Sequence, residues 1–226
     1  MICVKRFLLG ALLLLVSACA TVPFEATELV PTVPRTAASL ADGLWSAGTG
    51  SILIRQSALF EFKGMRVPIT GVMKLDRSAN CARLVGMNDM GVKLYDISVD
   101  AVSSQAHFII PDLSRYPGFA EAVAVSVRRI FLTPMPAPGD VIERTPKSYR
   151  LTREEGTGGT VGFIFGGADA QLLEKSFRGP AASWRVRYYR YQRLPGQLFP
   201  GGIVLDDNRA DYRLTLWIES VDKTDE

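Results

Sequence analysis

The stretch Ala58–Asp76 reads ALFEFKGMRVPITGVMKLD, and its alternation decides the fold class. Apolar side chains recur at every second position before the dipeptide Lys63-Gly64 and again after it. Successive side chains of a β-strand point to opposite faces, so this period of two predicts two strands that each bury one face. The link between them is too short for a crossover helix, and the two strands are therefore predicted to be antiparallel.

The same alternation extends the sheet on both sides of one helix. Short connections join predicted strands at 82–85, 92–99 and 106–110, and further strands follow between 142 and 221, with residues 170–177 forming either a strand or a short helix. Between the two groups, apolar residues recur at helical spacing from Phe119 to Phe131, with Pro117 in the first turn and Pro134 after the end. We predict an α+β fold, mainly β, with this helix packed on an antiparallel sheet. A helix lying on a membrane surface is the alternative.

The first nineteen residues have the pattern of a bacterial lipoprotein signal. Two basic residues precede the apolar run Phe7–Val16, which is about ten residues long, whereas a membrane-spanning helix needs about 20. The sequence Val16-Ser17-Ala18-Cys19 then resembles a lipobox. We predict that residues 1–18 are a signal peptide and that Cys19 receives the lipid anchor. An ordinary signal peptide, cleaved after small residues, is the alternative.

Charge and cysteine usage fit an envelope protein. Removing residues 1–18 takes away two of the 26 basic residues and none of the 23 acidic ones, so the net charge falls to +1 and gives no argument for nucleic-acid binding. Cys81 is then the remaining unmodified thiol, and we expect it to be buried. Ala20 stands where lipoproteins retained in the inner membrane usually carry aspartate. We therefore predict anchoring to the outer membrane, at its periplasmic face.

Residues 19–44 are predicted to be a tether to the membrane, and residues 45–226 to be the folded domain. Prolines punctuate the tether, which shows little periodicity. About 20 extended residues span about 60 Å, enough to hold a domain away from the membrane surface. Within the tether, residues 36–44 are predicted to form a short helix that packs on the domain.

The sequence contains no recognisable catalytic set. The glycine-rich stretch Gly156–Gly162 lacks the lysine of a phosphate-binding loop, and no G-x-S-x-G elbow occurs. His107, the only histidine, alternates within a predicted strand, where we expect a structural role. The acidic stretch 206–211 resembles a hairpin turn rather than a calcium loop. We predict a protein that is not an enzyme and that uses neither a metal nor a cofactor.

Basic and aromatic residues are interleaved in the predicted strand 183–193. On a strand, Trp184, Val186 and Tyr188 share one face, and the other face carries Arg185, Arg187, Tyr189, Tyr191 and Arg193. We expect this face to be solvated. The alternative is contact with anionic lipid headgroups or with an acidic protein partner.

With these features the chain resembles the superfamily of outer-membrane lipoprotein receptors and periplasmic lipoprotein carriers, the LolB-like and LolA-like proteins. The resemblance rests on the lipobox, the strand–turn–strand Ala82–Tyr95, the helix after the first group of strands, and the closing strands Ile203–Leu205 and Tyr212–Ile218. It covers about residues 45–220. It implies a strongly curved antiparallel sheet, a half-barrel lidded by one or more helices, whose apolar concave face accepts acyl chains.

We expect apolar residues of the sheet and the lid to line that concave face. The candidates are Phe60, Phe62, Ile69, Met73, Leu84, Leu94, Phe119, Val123 and Phe131. The resemblance implies a protein that binds an acyl chain or another apolar ligand and takes part in lipid or lipoprotein transfer. The same residues also suit a filled core. The alternative function is therefore an accessory lipoprotein that binds an envelope protein and holds no ligand.

Overall fold

One antiparallel sheet of twelve strands forms most of the computed structural model, which describes residues 22–156, 158–194 and 197–224. The strands are β1 (Ser51–Phe62), β2 (Met65–Asp76), β3 (Cys81–Met87), β4 (Lys93–Val99), β5 (Ser104–Ile109), β6 (Val141–Arg144), β7 (Ser148–Glu155), β8 (Gly159–Gly166), β9 (Gln171–Arg178), β10 (Ser183–Leu194), β11 (Gln197–Asp207) and β12 (Tyr212–Lys223). The signal peptide and Cys19 lie outside the described residues.

The strand order shows how the sheet is assembled from two meanders. It runs β5-β4-β3-β2-β1-β12-β11-β10-β9-β8-β7-β6, so every neighbouring pair is consecutive in sequence except β1 and β12. These two strands pair antiparallel, with Ser57 opposite Trp217. The sheet is curved and is not closed, which leaves β5 and β6 as its edges. The α+β prediction of a half-barrel lidded by helices is confirmed.

The helical segment between β5 and β6 connects the two edges of this open sheet. It contains the short helix α2 (Pro111–Ser114), the longer helix α3 (Phe119–Val127) and a π-helical turn (Arg128–Leu132), while a further short helix, α1 (Ala37–Asp42), precedes β1. We call α3 and the π-helical turn together the lid. The prediction that Pro117 occupies the first turn of the long helix is wrong, because Gly118 adopts φ +83° and caps a helix that begins at Phe119.

The start of α1 follows from a local hydrogen-bonding pattern. The Thr36 hydroxyl accepts a hydrogen bond from the Ser39 amide at 3.1 Å, and the Ser39 hydroxyl accepts one from the Thr36 amide at 3.2 Å. This reciprocal cap satisfies two amides that lack partners within the helix. The predicted short helix is present, and it buries Ala37 and Leu40 against the sheet.

The core lies on the concave face, where side chains from successive strands form continuous rows. Ile54, Met73, Leu84 and Ile97 are paired across β1 to β4, and each is no more than 5% exposed. Alternating residues on the same strands, such as Arg55 and Lys74, are exposed. The period of two in the sequence thus corresponds to one buried and one solvated face. Among the described residues, no helix is long and apolar enough to cross a membrane.

Residues 22–36 of the predicted tether lie against the sheet. Phe24 is buried on the convex face beside Tyr189 and Trp217. Farther along, the Tyr149 hydroxyl donates a hydrogen bond of 2.5 Å to the carbonyl oxygen of Val33 and accepts one of 3.1 Å from its amide. The part of the tether that is described therefore follows the domain closely. The boundary at residue 44 remains a prediction.

Gly86 is required where the concave face meets the lid. A side chain there would overlap the buried ring of Tyr95 on the paired strand, and Tyr95 in turn contacts Phe119 of α3 edge-on at 5.5 Å. We expect Gly86→Ala to lower the free energy of unfolding by about 2 kcal/mol, because it overpacks this contact. Guanidinium denaturation measures the change.

The control is Gly71→Ala, directly opposite Gly86 on β2. A Cβ at Gly71 would lie 3.4 Å from Leu84 Cδ1, which is an ordinary contact. This variant should unfold close to the wild-type midpoint. Equal destabilisation by both substitutions would show that strand glycines, rather than the Tyr95 ring, set the cost.

Candidate functional site

The nine apolar candidates occupy two levels of burial in and around the concave interior. Met73, Leu84 and Phe131 are buried in the main core, and Ile69, Leu94, Phe119 and Val123 are half-buried against that same core. Phe60 and Phe62 lie together near the end of β1, where Phe60 also contacts Tyr212 with ring centroids 5.4 Å apart. The structure thus brings seven of the nine together and places two at one end of the interior.

The lid closes over this interior by packing and by hydrogen bonds. The Ser126 and Tyr212 hydroxyls lie 2.9 Å apart, and the Tyr188 hydroxyl donates a hydrogen bond of 2.8 Å to the carbonyl oxygen of Ile130. Burial raises the pKa of Tyr188 well above its ordinary value, so this hydroxyl remains a donor. Both tyrosines belong to the sheet and fix the lid from below.

One ion pair fixes the C-terminal part of the lid to the sheet. Arg129 in the π-helical turn pairs with Asp207 at the end of β11, and their side chains are only 15% and 6% exposed. Burial alone would raise the pKa of Asp207. Hydrogen bonds from the Ala210 amide and from Arg129 nevertheless hold that pKa below its ordinary value. The carboxylate therefore stays ionised, and the arginine stays paired.

An aromatic cluster that the sequence did not predict fills the middle of the interior. Trp45 lies between α1 and β1 and is 2% exposed. Its ring centroid is 5.8 Å from that of Phe131 and 5.1 Å from that of Phe199. Trp45 stands outside any periodic stretch, so neither helical nor strand spacing identified it. It joins the lid to the strands beneath it.

Two polar side chains also point into the interior, and the sequence indicated neither. Lys175 on β9 is 0% exposed, and its Nζ has no hydrogen-bond partner among the described residues. Gln56 on β1 is 6% exposed, and its Oε1 is likewise unpartnered. The segment around Lys175 was predicted as a strand or a short helix, so its facing could not be assigned.

Two cavities on the protein lie away from the nine candidates. One, of about 420 Å³, is lined mainly by polar residues of β2 to β5, including Lys74, Arg83 and Gln105. The other, of about 360 Å³, lies beside the N-terminal segment and is lined by Val22 and Trp217 among others. None of the nine candidates lines either of them. The interior beneath the lid is occupied by side chains in this closed arrangement.

Four exposed apolar side chains lie together at one end of strands β1 to β4. Met65 and Val67 follow the β1–β2 turn, and Met90 and Val92 lie in the β3–β4 turn; we call these four residues the apolar rim. Met90 is 83% exposed. Asn88 Oδ1 holds its turn in shape by accepting hydrogen bonds from the Met90 amide at 3.0 Å and from the Val92 amide at 2.9 Å.

The described chain begins close to this rim. Val22 lines the cavity of about 360 Å³ together with Arg66, which is adjacent to Met65 in β2. From Val22 the chain needs only three residues to reach Cys19, a distance of at most about 10 Å. The described chain therefore begins beside Arg66, next to the Met65 end of the apolar rim.

The basic stripe, as we call Arg185, Arg187 and Arg193, faces acidic partners. Arg187 pairs with Asp206 at 2.7 Å, Arg193 with Asp169 at 2.7 Å, and Arg185 approaches Glu174 at 4.0 Å. The side chains of Arg193 and Arg185 are 74% and 45% exposed, as the solvated-face prediction requires, whereas that of Arg187 is only 22% exposed. Contact of this stripe with anionic lipids stays a prediction.

The interleaved strand itself departs from simple alternation. Trp184, Val186 and Tyr188 enter the core as expected, but Arg190 adopts φ +52° and shifts the pattern. Tyr191, expected beside the arginines, therefore packs against the core, and its hydroxyl donates a hydrogen bond of 2.5 Å to the carbonyl oxygen of Leu172. The expectation for Tyr191 is wrong because the left-handed backbone of Arg190 interrupts the extended strand immediately before it.

His107 has a serine neighbour but lacks the third member of a triad. Its Nε2 lies 2.8 Å from the Ser98 hydroxyl on the exposed face. The nearby Asp96 is held by Arg83, which donates hydrogen bonds of 2.9 Å to each carboxylate oxygen. This acid is thus engaged by an arginine rather than orienting the imidazole.

The remaining reactive groups are few. No cluster of three or more potential metal ligands occurs within residues 22–156, 158–194 and 197–224. Cys81 is half-buried, and burial raises the pKa of its thiol, which lowers its reactivity.

Comparison with solved structures identifies the architecture. A crystal structure of a LolA superfamily protein from Nitrosomonas europaea matches with a TM-score of 0.54 and 11% sequence identity, covering 85% of this chain and 96% of that one. The chain has the LolA-like fold. A second crystal structure, named as an outer membrane lipoprotein-sorting protein domain from Vibrio parahaemolyticus, matches with a TM-score of 0.50 and 9% identity, covering 78% of this chain and 86% of that one. No protein-family model matches the sequence, and no curated protein matches it.

Proposed function

We propose that this protein is an outer-membrane-anchored lipoprotein whose LolA-like interior binds an acyl chain or a similar apolar ligand during lipid or lipoprotein transfer. The observation that carries the proposal is the lid, a helical segment that joins the two free edges of a curved sheet and covers its apolar face. A lid of this kind gives an apolar ligand a water-free site when it closes. The name of the Vibrio parahaemolyticus structure, an outer membrane lipoprotein-sorting protein domain, agrees with this role.

The apolar rim supports a membrane-facing orientation. Its Met65 end lies beside the start of the described chain, so a lipid anchor at Cys19 would hold this rim toward the bilayer. Lys63, Arg66 and Lys93 flank the rim and are exposed, which favours contact with anionic headgroups. A ligand released from beneath the lid would then travel only a short distance to the membrane.

One observation favours the second candidate, an accessory lipoprotein that binds an envelope protein. The interior is filled in the closed arrangement, since Trp45, Phe131 and Phe199 occupy its centre with exposures of 1–2%. A permanently filled core would leave the surface of the sheet as the functional part. The two candidates differ in whether the lid ever opens.

Lipid retained by the full chain distinguishes them. Purification from membranes followed by mass spectrometry should recover acyl lipid bound beneath the lid, in addition to the lipid attached at Cys19. Val123→Trp should reduce the retained lipid at least tenfold, because the half-buried Val123 side chain of α3 faces the interior and tryptophan would fill the space that a chain needs.

The matched control is Val102→Trp. Val102 lies in the β4–β5 turn, at the opposite end of the strands from the apolar rim, and is 90% exposed. This variant should retain as much lipid as the wild type. A folded wild-type protein that carries only its anchor would exclude the binding function and leave the accessory role.

A further inference from the structure

The interior contains a lysine that the apolar-ligand function leaves unexplained. Lys175 is 0% exposed, and its cross-strand neighbours are Phe163 on β8 and Val186 on β10, both 0% exposed. All three side chains are therefore on the core side of the sheet. A lysine amine in such surroundings is costly, because it loses its hydration without gaining a partner.

The acid next to Lys175 in sequence does not pair with it. Successive side chains alternate between faces along β9, so Glu174 points to the convex face, where Arg185 approaches it at 4.0 Å. The buried acids Asp207 and Asp140 are paired with Arg129 and Arg153. Within the described residues, Nζ of Lys175 has no hydrogen-bond partner.

This inference rests on the proposed function and names the ligand class. We infer that the interior takes a single-chain amphiphile that ends in a carboxylate, such as a long-chain fatty acid, with the carboxylate at Nζ of Lys175 and the alkyl chain along the neighbouring apolar side chains. Phe163 and Val186 flank Lys175 on the neighbouring strands, and Leu151 extends the apolar surface beyond Phe163.

The chemistry of a single buried amine favours this head group. One ammonium balances one carboxylate, and its three N–H donors match the two carboxylate oxygens. A phosphate monoester carries more than one negative charge and would keep an uncompensated charge in the apolar interior. An uncharged head, such as an alcohol, would gain much less from the amine.

Two ligands of equal chain length test the inference on the full chain. The protein, purified from membranes, is incubated with hexadecanoic acid or with hexadecanol, and bound ligand is counted by native mass spectrometry. We expect the acid to bind at least tenfold more tightly than the alcohol. In Lys175→Met the ratio should fall to about one, whereas in Lys147→Met, which alters an exposed lysine, it should stay at the wild-type value.

A carbodiimide coupling locates the contact. The reagent joins a carboxylate and an amine into an amide when the two touch, and peptide mass spectrometry should find the hexadecanoyl amide on Lys175. Equal binding of acid and alcohol, or coupling confined to exposed lysines, would overturn the carboxylate inference while leaving apolar binding intact. Failure of both ligands to bind would overturn the proposed function itself.

Discussion

Replacing Lys175 by methionine is expected to stabilise the protein by about 4 kcal/mol at pH 7. Burial lowers the pKa of the Lys175 amine from 10.5 to about 7, and each pKa unit corresponds to about 1.4 kcal/mol. At pH 7 the amine is protonated in the unfolded chain but loses much of its proton on folding. This difference lowers the free energy of unfolding of the wild type. Methionine has a similar length and fills the same apolar space without an amine.

The pH dependence of this gain identifies its origin. Between pH 7 and about 10 the unfolded chain binds more protons than the folded one at Lys175, so the wild type becomes more stable as the pH rises. The advantage of Lys175→Met should therefore shrink by about 1.4 kcal/mol per pH unit from pH 7.5 to pH 9.5. Chemical denaturation at both pH values, followed by tryptophan fluorescence, measures it.

Lys147→Met serves as the control for this measurement too. Lys147 lies in the exposed turn between β6 and β7, and its replacement should change stability by less than about 0.5 kcal/mol at either pH. A gain in Lys175→Met that is identical at both pH values would contradict an amine that loses its charge on folding.

Removing the ion pair between the lid and the sheet is expected to have the second largest effect. Arg129→Leu should lower the free energy of unfolding by about 3 kcal/mol, because it leaves the buried Asp207 carboxylate without its cation. Two backbone hydrogen bonds, from the Arg209 and Ala210 amides at 2.9 and 2.8 Å, remain and limit the loss. The Arg129 guanidinium also lies over the Trp184 ring at 5.4 Å, and this contact disappears as well.

The lid should respond more strongly than the rest of the molecule. Hydrogen exchange of the α3 amides should accelerate in Arg129→Leu, while the central strands keep most of their protection. Arg115→Leu is the matched control, since Arg115 and Asp112 form a surface pair with side chains 64% and 78% exposed. It should cost less than about 0.5 kcal/mol. Unchanged α3 exchange in Arg129→Leu would show that packing alone holds the lid.

Sequence patterns predicted the strands well because the sheet has one solvated face. The alternation of Ala58–Asp76 corresponds directly to β1 and β2, and the helical spacing from Phe119 identified α3. The pairing of β1 with β12 was not predicted, since no local signal joins residues that are far apart in sequence. The face predicted for the Tyr191 side chain was wrong because Arg190 takes a backbone conformation that most residues avoid.

The site was predicted less completely than the fold. Apolar candidates such as Met73 and Phe131 are in the interior, because burial follows from hydrophobic periodicity. Lys175 and Trp45 were missed for different reasons. A lysine within a strand is normally solvated, and only the register of β9 against its neighbours places this one inside. Trp45 belongs to a connecting segment whose position depends on the tertiary structure.

The pairing of β1 with β12 also sets the order in which the molecule can assemble. Ser57 and Trp217 face each other although 160 residues separate them, whereas the other strand pairs join consecutive strands. Each meander can form as soon as its own strands are available, but the seam between them must wait for β12. Until then β1 exposes an unpaired edge, which is a template for association with other chains. Closing that seam is therefore expected to be the slow step of folding, and the stage at which a newly synthesised chain most needs a chaperone.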